Sequence, residues 1–349
     1  MKFGLYFLPS FDPEMHRDGK TLYQQIIDQA VLAEQLGFQS VWASEHHFDI
    51  YGGYIPNPIV LLSAISQKTK TIRLGTGGVA LPLNRPLNTS EQLAMLDNIS
   101  GGRLDIGVVR AFLNTEYEAL NVPMDESRER FNEGVDIIRG TWANERFSYE
   151  GKFNKFTDVR MLPRPMQRNP RIIVGSVMST ESIVNAGRKG LDLMVIAYAV
   201  SLERIKEMVR LYHDSLEEGG HNPSDHPVMS PFHCYIAENE NVARETVRGP
   251  ITRYLASARD SVKADKWSKD YQGYEGLADK FEALMDFDLM YDKRSLFGHP
   301  AHTHECIEAA IDAGIGEITL VGLLPGLPQE RVLESMRLFS EEVIPRYQV

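Results

Sequence analysis

Ser40-Val41-Trp42-Ala43-Ser44-Glu45-His46-His47-Phe48 sets a short β-like run, Val41 to Ala43, directly ahead of three groups able to move protons or bind ligands. In a parallel α/β protein, active sites are built at the C-terminal ends of strands. Neighbours on an extended backbone alternate faces, so His46 and His47 cannot both point inward. His46 is expected to face a pocket and His47 to hold structure. On these residues alone, a purely structural or exposed His pair competes with that reading.

Working outward, residues 3–8 read as a buried strand ended by Pro9. Thr21 to Leu36 reads as a helix, with Leu22, Ile26, Ile27, Ala30, Val31 and Ala33 at helical spacing and Gly37 as its stop. A strand–helix–strand unit of this kind favours parallel pairing. The loop 49–57 carries Tyr51-Gly52-Gly53-Tyr54 and could line a pocket. Pro58 to Ser66 reads as a helix, 72–76 as the third strand, Pro86 to Ile99 as a helix and 103–109 as the fourth strand. A long helix is expected over 127–142, a small hairpin over 147–153 and strands over 171–174, 191–196, 228–236 and 317–321. Helices are expected over 201–216 and 329–344. Eight strands alternating with helices favour a single (β/α)8 TIM barrel over residues 1–349. Residues of about 263–297, with Trp267, Tyr271, Tyr274 and Phe281, form an insertion between strands 7 and 8. It is a candidate lid, or an excursion packed outside the barrel or on a partner subunit.

The composition is that of an ordinary globular protein: 43% hydrophobic and 24% charged residues, with a formal net charge of −11. That balance argues against nucleic-acid binding and against an anionic membrane surface. The two cysteines, Cys234 and Cys306, make no Cys-x-x-Cys, so a thiolate zinc site is unsupported. His302-Thr303-His304 lacks completing carboxylates and suggests capping or surface positions, so no metal is expected. The opening Lys2 to Leu8 run is too short for a signal peptide, and no apolar stretch approaches about 18 residues. A cytoplasmic protein is the expectation.

Gly77-Gly78 falls where the third strand ends, and two glycines allow positive φ and close approach of a flat ring. An ordinary turn explains them equally. Arg110 ends the fourth strand, where a guanidinium can reach a phosphate bidentately or simply pair with a carboxylate. Ser176, Ser179 and Thr180 follow the fifth strand and open a helix, which suits an anion site or plain helix capping.

Several stretches resemble the bacterial luciferase-like flavin-dependent monooxygenases. They include Lys2-Phe3-Gly4, Gly37-Phe38 with Val41-Trp42 and Glu45-His46-His47-Phe48, and Gly75-Thr76-Gly77-Gly78-Val79-Ala80-Leu81-Pro82. Ser100-Gly101-Gly102-Arg103, Gly107-Val108-Val109-Arg110 and the tail Glu334 to Phe339 continue the resemblance in order along nearly the whole chain. It implies a (β/α)8 barrel that uses reduced FMN and dioxygen. His46 matches the histidine needed for activity, with Glu45 beside it. Thr76-Gly77-Gly78 matches the strand end that carries a non-proline cis peptide beneath the isoalloxazine. Arg110 matches the phosphate-binding arginine, and Ser176 and Ser179 the phosphate-side hydroxyls. Gly175 and Val109 depart from an acidic residue and a cysteine of the luciferases, which argues against light emission and a long-chain aldehyde.

The resemblance implies a two-component FMN-dependent monooxygenase that oxygenates a small organic substrate, an aldehyde or other, through a C4a-peroxyflavin. A separate flavin reductase would supply the reduced FMN, since no Gly-x-Gly-x-x-Gly follows a strand. A homodimer is expected. The alternatives are a deazaflavin-dependent oxidoreductase, which would need an extra basic patch that the sequence does not display, and a non-catalytic flavin-binding subunit.

Overall fold

Eight strands of the described chain close on one another. The computed structural model describes residues 1–11, 17–177, 179–263, 282 and 285–347. Its barrel strands are β1 (Lys2–Phe7), β2 (Ser40–Ala43), β3 (Arg73–Thr76) and β4 (Leu104–Val109). They continue as β5 (Ile172–Ser176), β6 (Asp192–Val195), β7 (Val228–Ile236) and β8 (Ile315–Val321). Each pairs in parallel with the next, and β8 returns to β1 with Thr319 opposite Gly4. This is the expected (β/α)8 barrel. All nine residues of β7 are buried, as befits a strand with core on one side and helices on the other.

Around it run α1 (Gly19–Gln35), α2 (Pro58–Ser66), α3 (Pro86–Ser100) and α4 (Ser127–Ala143). α5 (Thr180–Arg188), α6 (Leu202–Glu218), α7 (Glu240–Lys263), α8 (Pro300–Asp312) and α9 (Gln329–Glu342) complete the ring. Local chemistry fixes their starts. Asp18 accepts the Thr21 amide at 2.6 Å, and Asn57 accepts the Val60 amide at 3.1 Å ahead of Pro58. Gly101, at φ 70°, ends α3 in the left-handed conformation that glycine takes without a Cβ clash.

The interior is filled in layers. Near the N-terminal ends, Arg73 pairs with Asp105 at 2.6 Å, and Arg171 bridges Asp192 and Glu317. Above them Trp42, fully buried, donates to Ser40 Oγ at 2.8 Å. A Cβ at Gly75 on the next strand would lie 2.0 Å from the Trp42 ring, so that glycine makes room for the indole. Gly75→Ala should overpack the barrel and cost about 1–3 kcal/mol or prevent folding. Urea unfolding checks this, and an unchanged midpoint would refute the layer as drawn. With the lower end closed by ion pairs and Trp42, open space is left at the C-terminal end.

The structure departs from the sequence reading at one point and adds to it at two others. First, the expected cis peptide at Thr76-Gly77-Gly78 is absent: among the described residues, only Leu162–Pro163 is cis. The strand end turns through Gly78 at φ 142°, a conformation open to a residue without a Cβ. Second, of the expected insertion of about 263–297, residues 264–281 and 283–284, with Trp267, Tyr271, Tyr274 and Phe281, lie outside the described residues. A short strand, Leu296–Gly298, pairs with β7, and a helix, Phe287–Lys293, packs against that strand and α7, burying Tyr291, Leu296 and Phe297. Third, α7 is not foreseen by the sequence reading. α7 contains Gly249 and Pro250 within its run, residues that ordinarily break a helix.

Candidate active site

Above Trp42 the strand ends surround a cavity of about 1010 Å³, counting the solvent at its mouth. Tyr6, His46, Gly77, Gly78, Val109, Arg110, Gly175, Ser176 and Met194 come to it from the ends of six successive strands. The space suits a drug-sized ligand or larger.

β2 is held against β1 by the Ser44 amide on Phe7 O at 3.1 Å, and the chain then turns His46 to the cavity. His46 is 8% exposed. Its Nδ1 lies 3.1 Å from Oε1 of Glu116, which is buried on the short helix Asn114–Ala119 after β4. The same oxygen accepts the His47 amide at 2.8 Å. An ionised Glu116 fixes a proton on Nδ1, which leaves Nε2 to exchange a proton. Two non-glycine residues with left-handed backbone flank this contact, Phe48 at φ 60° and Ala111 at φ 59°. Such conformations are sparsely populated and recur at functional sites.

Glu45 is engaged differently. Its carboxylate accepts from the Ala80 amide at 3.2 Å and Asn84 Nδ2 at 2.8 Å, and lies 3.1 Å from His47 Nε2. Both oxygens are spent tying the loop after β2 to the loop after β3. Burial opposes charge on His47, but the Glu45 hydrogen bond and the charges of Glu45 and Glu116 outweigh it and raise the pKa above 6.5. A raised histidine pKa gives stability that is complete below about pH 6.5 and is lost as pH rises through the folded-state value. The melting temperature should therefore decline over that window, and the decline should flatten in Glu45→Gln. An equal decline in both would disprove the coupling.

At the other end, Arg110 (9% exposed) and Ser176 line the cavity. Ser179 caps α5, accepting the Ser182 amide at 3.3 Å, and its Oγ lies 3.0 Å from Ser182 Oγ. Ser179 is thus turned to the helix's own amides, and Ser182, three residues on, lines the cavity in its place. Thr76 also differs from expectation. Fully buried, it donates to Gly107 O at 2.9 Å and accepts the Gly107 amide at 2.8 Å, stitching β3 to β4. Gly77 and Gly78 do line the cavity, and Gly77 O accepts from Tyr6 Oη at 2.5 Å.

Arg128 and Lys189 line an adjoining cleft with Arg110, so cations unseen in the sequence do lie near that end. Each is matched by a carboxylate: Arg128 with Glu181 at 2.9 Å, and Lys189 with Asp136 at 2.8 Å. His302 and His304 lie on α8, where His304 Nδ1 meets Tyr347 Oη at 3.0 Å. Among the described residues no helix is long and apolar enough to cross a membrane.

The sequence reading did not find Glu116, Tyr6, Ser182 or Tyr198. Glu116 lies 70 residues from His46, and nothing in either local pattern announces the pairing. Tyr51 lay within the glycine-tyrosine loop expected to line a pocket.

Comparison with known proteins places these features in context. A family model described as luciferase-like monooxygenase matches residues 1–317. The alkanal monooxygenase alpha chain of the Kryptophanaron alfredi symbiont is 24% identical over 355 residues, covering 99% of this chain and 98% of that protein. Monooxygenase RslO1 from Streptomyces bottropensis is 33% identical, with a TM-score of 0.88 and full coverage of both chains. The oxygenating constituent of 3,6-diketocamphane monooxygenase from Pseudomonas putida, a type II Baeyer-Villiger enzyme solved with FMN, shares the fold. Its identity is 22% and its TM-score 0.83, over 100% of this chain and 99% of that one. An F420-dependent secondary alcohol dehydrogenase shares it too, at 17% identity and a TM-score of 0.77, over 100% and 99%.

Proposed function

This chain belongs to the luciferase-like monooxygenase family, and from that premise we propose that it is the oxygenase component of a two-component system using reduced FMN and dioxygen. What carries the reading is that unlike groups from different strands line one cavity. His46, backed by Glu116, comes from the β2 side, and Arg110 with Ser176 and Ser182, in the first turn of α5, from the β4 and β5 side. The second side fits a phosphate, because a guanidinium and a helix N-terminus both favour an anion. The Gly77-Gly78 strand end lies between them and offers backbone to a flat ring.

Reduced FMN would supply the electrons that activate dioxygen. The chain's own residues do the rest. Arg110, Ser176 and Ser182 hold the phosphate end. Leu8, Phe112, Val174 and Ile196 present an apolar wall that excludes water from the reacting centre. His46, oriented by Glu116, moves a proton at Nε2 to or from the substrate. Glu45 acts by holding the two loops in place.

An oxygenase component needs a supply of reduced flavin, and the diketocamphane enzyme is likewise described as an oxygenating constituent. A separate reductase and a small organic substrate complete the proposal, in a cytoplasmic setting. Val60 on α2 and Met95 and Ile99 on α3 are exposed apolar side chains that suit a face for a second copy of the chain. The F420 alternative would set its longer anionic tail in the adjoining cleft, where Arg128 and Lys189 lie with Arg110.

The test supplies reductase-generated reduced FMN with labelled dioxygen and a panel of small apolar substrates. One labelled oxygen atom in a product supports the reading. Hydride transfer to or from F420 without oxygen uptake would replace it.

A further inference from the structure

We infer that the chain carries a second ligand site, on the barrel face opposite the His46 cavity, and that it takes a phosphomonoester with an apolar body. A cavity of about 1460 Å³, counting the solvent at its mouth, opens there. The strands fix its position. Lys2 begins β1, Arg171 directly precedes β5, Asp192 begins β6 and Pro227 directly precedes β7. These are N-terminal strand ends, whereas His46 and Arg110 follow C-terminal ones. The last turns of α4 add Arg139 and Trp142 to the wall.

The N-terminal face of such a barrel ordinarily serves stability. Arg171 does so here: it bridges Asp192 and Glu317, and Asp192 also meets His226 Nδ1 at 2.6 Å. The other lining cations have no such duty. Among the described residues Lys2, Arg139 and Arg168 have no ion-pair partner, and Arg139 donates only to the Lys189 carbonyl at 3.4 Å. Besides Asp192, the lining holds one carboxylate, Asp225 on the turn Pro223–Asp225. In a chain of net charge −11, three unpaired cations around one concavity are a local exception, and they draw anions.

The chemistry selects the ligand. A guanidinium meets a phosphate bidentately, and a dianionic phosphate has charge and oxygens for more than one cation. The same cavity is lined by Ile138, Trp142, Ile172 and Leu191, which offer apolar surface that a bare ion would leave uncovered. An ester whose organic group lies on that surface uses both features. Two lining residues also carry buried donors without acceptors. Among the described residues the Trp142 indole N–H and Nη2 of Arg171 have no hydrogen-bond partner, and Trp142 is only 2% exposed. Buried donors in this state are costly and call for an explanation, and an anion held in the cavity they line is one.

The test titrates 1-naphthyl phosphate calorimetrically into the full-length Arg110→Ala protein, a background that removes the arginine of the other cavity. We expect saturable binding of one molecule per chain, weakened by added salt. The neutral 1-naphthol and the ring-less inorganic phosphate should each bind at least about tenfold more weakly, since each lacks one half of the recognition. Adding Arg139→Gln and Arg168→Gln together should also weaken 1-naphthyl phosphate at least about tenfold. Both of those side chains are exposed, so the fold should be kept, and circular dichroism checks it. Absence of saturable binding, equal binding of either control, or unaltered affinity in the folded Arg139→Gln/Arg168→Gln protein would each overturn the site.

Discussion

His46→Ala should bind reduced FMN like the wild type and turn over about 10²–10⁴-fold more slowly, the usual contribution of a positioned acid or base. The expectation follows from its place in the cavity, apart from the phosphate end, and from its contact with Glu116. Removing the imidazole takes away the proton carrier without touching Arg110 or Ser176. Glu116→Gln keeps the shape of the partner but not its charge, so it should lose part of the rate that His46→Ala loses. Single-turnover kinetics with pre-bound reduced FMN measures both. Wild-type turnover in His46→Ala would remove the residue from the chemistry, and lost flavin binding with normal residual chemistry would reassign it to the cofactor.

Arg110→Ala should show the opposite division. A hydrogen bond to a charged group contributes about 1.5–3 kcal/mol, so affinity for reduced FMN should fall about 10–150-fold. Turnover at saturating reduced FMN should fall far less, because Arg110 is placed at the phosphate end. The affinity of the variant should also depend less on salt than that of the wild type, since one ionic contact is gone. Equal flavin affinity in the two proteins would mean that the phosphate lies elsewhere.

Much of the barrel is legible in the chain because buried runs are bounded by glycine and proline. The expected bounds of the helix 58–66 and the strand 228–236 agree with α2 and β7 to the residue. The hairpin is also present, with Phe147–Glu150 antiparallel to Lys155–Val159. The helix α7 was hidden by Gly249 and Pro250, and the three-residue strand Leu296–Gly298 is too short to show a period.

The site divides in the same way. His46, Gly77, Gly78, Arg110 and Ser176 all reach the cavity. Thr76 does not, because strand alternation turns it away from the side occupied by Gly75 and Gly77. Ser179 is taken by its helix, and the helical repeat brings Ser182 to the cavity in its stead. Glu116 illustrates what a linear reading lacks. Its meaning arises only when β2 and β4 bring their following loops together, and no spacing rule connects residues so far apart.

The most direct measurement is an anaerobic titration of the full-length protein with reduced FMN, repeated with reduced F420. The account predicts saturable binding of one reduced FMN per chain, weakened in Arg110→Ala and unchanged in His46→Ala, with no comparable binding of F420. Tight binding of F420 without binding of reduced FMN would contradict it.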